Sequence, residues 1–139
     1  MDLQPHLLRE HQLEIRVRYS ETDAMGRVHH SNFINYFELG RTEMMRAAGL
    51  PYTDFEKLGV LMVVKELNVK YHQAARFDDL LVLRTTTIRA KGARIVHEYE
   101  LTRGEDRIAT GRSVVATVHP DGSVARLPKF LQLDEQSNE

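Results

Sequence analysis

The stretch that decides the fold runs Leu13-Glu14-Ile15-Arg16-Val17-Arg18-Tyr19, then Ser20 to His30. It ends in Ser31-Asn32-Phe33-Ile34-Asn35-Tyr36-Phe37-Glu38-Leu39-Gly40-Arg41-Thr42-Glu43-Met44-Met45-Arg46-Ala47-Ala48. In the first part the apolar side chains fall at every second position, the period of a strand with one buried face. In the last part the period changes. Phe33, Phe37, Gly40, Met44 and Ala47 recur at spacings of three and four, which aligns them as one helical stripe. Ser31 or Asn32 is placed to cap this helix, because either side chain can accept a bond from an orphan N–H of the first turn. Gly49 supplies the stop and Pro51 prevents continuation. Gly40 costs the helix about 1 kcal/mol relative to Ala, so it predicts close backbone packing there. The middle part, which contains Gly26, reads as a structured loop.

Outward from this core, a short helical turn is predicted around Tyr52 to Leu58, and everything after Gly59 reads as strand. The strands are Val60 to Tyr71, Leu80 to Ala90, Ile95 to Thr102 and Ile108 to His119. Arg76-Phe77-Asp78-Asp79, Lys91-Gly92-Ala93 and Arg103-Gly104-Glu105-Asp106 are the turns between them. His119-Pro120-Asp121-Gly122 closes the series. Short connections predict antiparallel neighbours in chain order. The expected arrangement is therefore strand, long helix and four strands in a meander, an α+β class. Residues 1–11 and 132–139 are polar and read as frayed ends of one domain, 1–139, with its core at about 13–131.

Composition narrows the chemistry. The 139 residues carry 19 Lys and Arg against 20 Asp and Glu, a net charge of −1. One domain of this size buries about two-thirds of its unfolded surface and needs no covalent staple. There is no cysteine, which excludes a disulfide scaffold, a thiolate nucleophile and a Cys-ligated zinc site. The near-zero charge argues against a dedicated nucleic-acid binder. The longest apolar run, Val60 to Val64, falls far short of the roughly 20 residues that span a bilayer. Met1 to His6 lacks the basic and apolar regions of a signal peptide. The expectation is a soluble cytoplasmic protein without a membrane span.

The chemistry-bearing segment is Tyr19-Ser20-Glu21-Thr22-Asp23-Ala24-Met25-Gly26-Arg27-Val28-His29-His30. A carboxylate, Asp23, sits in a loop that must fold tightly around Gly26. Two imidazoles, His29 and His30, lie just before the helix. The helix start adds unpaired N–H groups and about half a unit of positive charge. A base or nucleophile close to an anion-stabilising N–H is what acyl transfer requires. Plainer readings stand beside this one: Asp23 satisfying loop amides, and His29 and His30 as solvated surface residues. His6, His11, His72, His97 and His119 form no His-x-x-x-His or His-Glu-x-x-His pattern, so no metal site is expected.

The run from Arg16 to Phe33 resembles the signature of the 4-hydroxybenzoyl-CoA thioesterase family, in the pattern of its YbgC-type acyl-CoA thioesterase branch. That family reads roughly Arg-Val-x-Tyr-x-x-Thr-Asp-x-x-Gly-x-Val-x-His, then a helix with an aromatic pair and Glu. Here the continuation is Tyr36-Phe37-Glu38-Leu39-Gly40-Arg41-Thr42-Glu43-Met44. Val69-Lys70-Tyr71, Asp79-Leu80-Leu81 and Arg112-Ser113 extend the likeness over about residues 13–131. The resemblance implies a hotdog fold, one long helix wrapped by a curved five-stranded antiparallel sheet. It also implies an acyl-CoA substrate, no cofactor, and a homodimer or homotetramer with active sites at the interface, which would cover an exposed edge strand. Residue by residue, Asp23 matches the catalytic carboxylate, as nucleophile or as base for water. The His30 N–H matches the oxyanion donor. The His30 side chain and Tyr19 match accessory catalytic positions.

Gly26, His29 and Glu38 fall at substrate-binding positions of the same motif. An ion pair of Glu38 with Arg41 or Arg46 would explain that residue equally well. Arg27 and His29 stand where the branch usually carries an apolar and an aromatic residue. Arg94 stands where many members have a small hydroxyl residue, and with Lys91 it could meet CoA phosphates or form a solvated basic turn. Two other functions share these features. One is a hotdog enoyl-thioester hydratase or dehydratase, although its closer Asp–His spacing and Asn-Pro are absent. The other is a non-catalytic module that binds an acyl thioester or acyl-carrier protein.

Overall fold

Alternating and helical periods become seven regular elements in a computed structural model that describes residues 6–135. They are β1 (Glu10–Arg16), α1 (His30–Ala47), α2 (Tyr52–Lys57), β2 (Leu61–Tyr71), β3 (Leu80–Lys91), β4 (Arg94–Arg103) and β5 (Asp106–Val118). Single 3-10 turns stand at Tyr19–Glu21 and Lys129–Leu131. The five strands form one antiparallel sheet in the order β1-β3-β4-β5-β2. Register shifts in the β2–β5, β3–β4 and β4–β5 pairs are the irregularities that bend strands and increase twist. The sheet curls around α1, the helix-in-sheet arrangement that the family resemblance implies.

The expected four-strand meander is corrected. Only β3, β4 and β5 follow one another; β2 pairs with β5 at the far edge. The connection from His72 to Asp79 therefore crosses the end of the sheet. Eight extended residues reach about 26 Å, whereas three strand spacings are only about 15 Å. A short connection in sequence thus did not require adjacency. The crossing is pinned by hydrogen bonds from the His72 and Gln73 amides to Ile108 O and from Arg103 Nη1 to Ala74 O.

α1 buries Phe33, Tyr36, Phe37, Gly40, Arg41, Met44 and Met45. Ala47, assigned to the stripe by its spacing, is exposed; Met45 takes the buried position among Leu50, Phe55 and Leu131. The cap also differs from expectation. His29 is the N-cap, its Nδ1 accepting from the Ser31 amide at 3.2 Å. Its own amide is held by Glu21 O at 2.9 Å, which keeps His29 extended and starts the helix two residues before a Ser31 cap would. At the other end Gly49 adopts φ +77 and stops the helix as expected. Gly40 packs where expected: a Cβ there would lie 2.5 Å from Thr85 Oγ1 and 2.6 Å from Leu83 Cδ2 of β3.

The description of the ends as frayed needs correction within the described residues. Leu7 is buried, and Thr87 N donates to Arg9 O. Glu10 and His11 pair with Thr86 and Thr85. Leu133 exchanges both backbone bonds with Ala90. Backbone pairing with β3 outweighs the polar composition. The rest of those ends, 1–5 and 136–139, lies outside the described residues. Among the described residues no helix is long and apolar enough to cross a membrane.

Candidate active site

The loop between β1 and α1 is built on a buried anchor and a part-buried one. Glu21 is 9% exposed, and its Oε1 accepts from Arg18 N at 2.7 Å and from the Tyr36 hydroxyl at 3.0 Å. Its carbonyl accepts from His29 N and from Asn32 Nδ2, both at 2.9 Å. One residue thus ties the loop to the first turns of α1. Burial and the Glu21 carboxylate raise the Tyr36 pKa, so the phenol stays a donor. The second anchor is Asp79, whose Oδ2 accepts from Arg76 N at 2.9 Å and Arg103 Nη1 at 2.8 Å. Partial burial pushes its pKa up, but those two donors hold it below the usual value. Asp79 fixes the crossing segment, against which Val28 N bonds Ala75 O at 2.8 Å.

Between the anchors the chain turns tightly. Asp23 N donates to Arg27 O at 2.7 Å and Gly26 N to Asp23 O at 3.0 Å, with Gly26 at φ +78. Only glycine adopts that left-handed conformation freely. The Asp23 carboxylate is tied by one oxygen: Oδ1 accepts from Met25 N at 2.8 Å and Arg27 N at 3.1 Å. Both readings of Asp23 therefore have substance. Oδ1 satisfies loop amides, and no protein donor among the described residues reaches Oδ2. The Arg27 amide bond, helped by Met25 N and the His29 imidazole, holds the carboxyl below its usual 3.8 against an opposing desolvation penalty. Asp23 is ionised at neutral pH.

The first turn of α1 supplies the positive counterpart. The Ser31 amide is capped by His29 Nδ1 and the Asn32 amide by His29 O. The His30 amide finds no acceptor among the described residues, as expected for a first helical N–H. Asp23, His30, Phe33, Tyr71 and His72 line one open pocket of about 320 Å³. Its walls are positioned by packing: Phe33 meets Tyr71 edge-on with centroids 5.3 Å apart. The Tyr71 hydroxyl reaches His30 O at 3.4 Å.

The sequence-derived residues divide into near and far. His29 stacks on His30 at 4.2 Å. Tyr19 is 77% exposed and meets Phe77 edge-on at 5.6 Å. Gly26 shapes the turn. Glu38 is exposed two turns along α1 and lines other cavities, between α1 and β2 and beside β1. Its expected ion pair with Arg41 or Arg46 is corrected. Arg46 pairs with Glu43, and Arg41 donates to the Tyr99 hydroxyl. Lys91 and Arg94 pair across the β3–β4 hairpin. That hairpin is the opposite end of the sheet from Asp23, so one chain does not bring them to the pocket. Sequence reasoning assigned no role to Glu21, Tyr71 or His72. Glu21 could have been sought as a carboxylate three residues after Arg18, but its partner Tyr36 is set only by folding. Among the described residues no group of three or more His, Asp or Glu side chains is arranged to hold a metal.

Comparison with known proteins adds a family. The model of the thioesterase-like superfamily matches residues 17–133. The chain belongs to that superfamily. It is 37% identical over 105 residues to the acyl-CoA thioesterase YbgC of Haemophilus influenzae, covering 75% of this chain and 77% of that one. It is 38% identical over 88 residues to the putative acyl-CoA thioesterase YneP of Bacillus subtilis, covering 63% of this chain and 64% of YneP. These relatives place it in the YbgC-type branch. Among solved structures, a probable thioesterase from Bartonella henselae superposes with a TM-score of 0.81 at 30% identity. That match covers 86% of this chain and 99% of the other. The fold of this superfamily member is the hotdog fold, five antiparallel strands curled about α1.

Proposed function

We propose that this thioesterase-superfamily chain hydrolyses an acyl-CoA, with Asp23 as base or nucleophile and the His30 N–H as oxyanion donor. The observation that carries the reading is one pocket holding an ionised carboxylate beside a helix-start N–H, with neither Oδ2 nor that N–H partnered among the described residues. The thioester carbonyl oxygen sits at the His30 amide, where the α1 dipole favours the developing negative charge. Asp23 Oδ2 either attacks the carbonyl carbon or takes a proton from the attacking water. The C–S bond breaks, and the sulfur leaves with the electron pair and takes up a proton as the CoA thiol. On the base route the water oxygen is then already on the acyl carbon and the acid departs; on the nucleophile route a water cleaves the Asp23 mixed anhydride, which releases the acid and restores the carboxylate. A thiol is acidic enough, near pKa 8.5, to leave without a strong acid behind it. The cysteine-free composition therefore fits a carboxylate mechanism. Tyr19 and the side chains of His29 and His30 border the same loop and orient substrate or water.

The assembly that suits this chemistry is a homodimer or a larger homo-oligomer, working in the cytoplasm. β2 is a long free edge with Val63 and Val64 exposed, whereas the other edge, β1, is short and charged. Such an apolar edge invites pairing with a second copy. Antiparallel β2–β2 pairing sets the Tyr71 end of one copy beside the Leu61 end of the other. The Lys91–Arg94 hairpin then shares an end with the second copy's Asp23, where basic groups suit CoA phosphates.

The test is thiol release from short, medium, long and aromatic acyl-CoAs by wild type and Asp23→Asn. Asn keeps an acceptor for the Met25 and Arg27 amides, so the loop holds while the ionised oxygen is lost. Undiminished turnover in that variant would remove Asp23 from the mechanism. Consumption of an enoyl-CoA without thiol release would point to hydration instead.

A further inference from the structure

α1 carries the one buried Lys or Arg among the described residues. Arg41 is 6% exposed, and its Nη1 donates to the Tyr99 hydroxyl at 3.0 Å. Tyr99 in turn shares a 2.6 Å hydrogen bond with Ser113 Oγ. No carboxylate among the described residues lies within ion-pair distance of Arg41, although Arg46 one turn later has Glu43. A desolvated guanidinium is costly without an anion, since its charge and its five N–H donors all lose water. The Tyr99 and Tyr52 phenols both favour the charged form, and neither neutralises it. Burial and the Arg41 charge push the neighbouring His97 down to about 3, so that imidazole is neutral and Arg41 is the cation of the pair.

The same guanidinium lines a cavity of about 430 Å³ between α1, α2 and the start of β2. Tyr52 stands beside it, and Phe55, Val60, Met62 and Val64 form apolar walls. This cavity shares no lining residue with the Asp23 pocket. Exposed Glu38 and Glu56 border it without pairing with Arg41. A small cavity with apolar walls and one oriented cation is the usual form of a site for a small organic anion. Arg is the residue best suited to a planar carboxylate, which it can hold by two parallel N–H bonds.

We infer that this cavity is a carboxylate site: Arg41, with the Tyr52 hydroxyl beside it, holds the carboxylate of a small acid whose apolar body lies on Phe55, Val60, Met62 and Val64. The occupant is either a free acid or the distal carboxyl of an acyl group. Binding of a free acid tests the site independently of the thioesterase reading. Hexanoate and benzoate, with hexanol and benzamide as neutral counterparts, are titrated into the full chain. Calorimetry and the methyl resonances of Val60, Met62 and Val64 report binding. The acids should shift those methyls and bind at least about tenfold tighter than the neutral compounds. Arg41→Met should abolish the difference, and Tyr52→Phe should reduce it. Equal binding of acids and neutral compounds, or acid binding unchanged in Arg41→Met, overturns the proposal. If Arg41→Met fails to fold, Tyr52→Phe decides, and unchanged acid affinity in that variant overturns it. Glutaryl-CoA against valeryl-CoA in the thiol assay then assigns the source. A glutaryl preference lost in Tyr52→Phe identifies the acyl terminus, and its absence alongside acid binding identifies the free acid.

Discussion

Replacing Glu21 separates the loop anchor from the chemistry it positions. Its Oε1 accepts from Arg18 N at 2.7 Å and from the buried Tyr36 hydroxyl at 3.0 Å. Hydrogen bonds to a charged group contribute about 1.5–3 kcal/mol each. Water can replace Glu21 at the part-buried Arg18 amide but not at Tyr36, which is 3% exposed. Glu21→Ala should therefore cost about 2–4 kcal/mol, a fall in Tm of about 6–14 °C for a domain of this size. Domains hold about 5–15 kcal/mol in reserve, so the variant still folds. Its loop, however, is no longer fixed to α1, and Asp23 shifts relative to the His30 amide. A misplacement of about 1 Å costs about 10²-fold in rate. Glu21→Gln keeps an acceptor for both donors and loses only the charge and an ion pair with the largely exposed Arg18. It should lose about 1 kcal/mol and keep most activity. The assay is thermal unfolding together with kcat and KM on one acyl-CoA. Wild-type kcat in a destabilised Glu21→Ala would refute the positioning argument, and so would equal losses in both variants.

Further outcomes can be checked alongside. With the Asp23 pKa held below 3.8, the active ionised form is lost only as pH falls through that depressed value. kcat/KM should then show no acid limb above about pH 4 that belongs to Asp23; a limb near neutrality that persists in every substrate would assign the essential base to an imidazole. Gly40→Ala gains about 1 kcal/mol of helix propensity but overpacks Leu83 and Thr85, and overpacking costs about 1–3 kcal/mol. Thermal melts should show a net loss. Gly111→Ala should be worse, because its Cβ would meet Phe37 Cε2 at 2.5 Å and the Asn68 carbonyl of β2 at 2.8 Å. Lysines at both Val63 and Val64 should convert the proposed oligomer to monomer in light scattering and remove thiol release. Unchanged mass would place the contact elsewhere.

The order strand, loop and helix at the start of the chain was legible because each depends on neighbours in sequence, but the strand read as 13–19 is Glu10–Arg16, and Tyr19 opens a 3-10 turn. Residues 13–19 alternate, Phe33 to Met44 repeat at helical spacing, and Gly49 marks the stop. The position of β2 was not legible. His72 to Asp79 is long enough to bridge neighbours or to cross the sheet, and only pairing of Leu61–Tyr71 with β5 selects the crossing. The helix cap was missed for a similar reason. Ser31 and Asn32 are good caps locally, but the Glu21 carbonyl holds the His29 amide across the loop and moves the start.

The candidate site divides along the same line. Asp23, Gly26 and His30 lie within eight residues, so the chain itself brings carboxylate, tight turn and helix start together. Absent cysteine had already excluded a thiolate nucleophile. Tertiary structure decided what surrounds them: Glu21 bonded to Tyr36, Tyr71 and His72 in the pocket wall, Glu38 and the Lys91–Arg94 hairpin away from it. It also decided that Arg41, one polar residue on a helix by sequence, is a buried cation facing a cavity. Periodicity reports which side of an element is apolar. Which elements face one another, and so which distant side chains share a pocket, is settled only by packing.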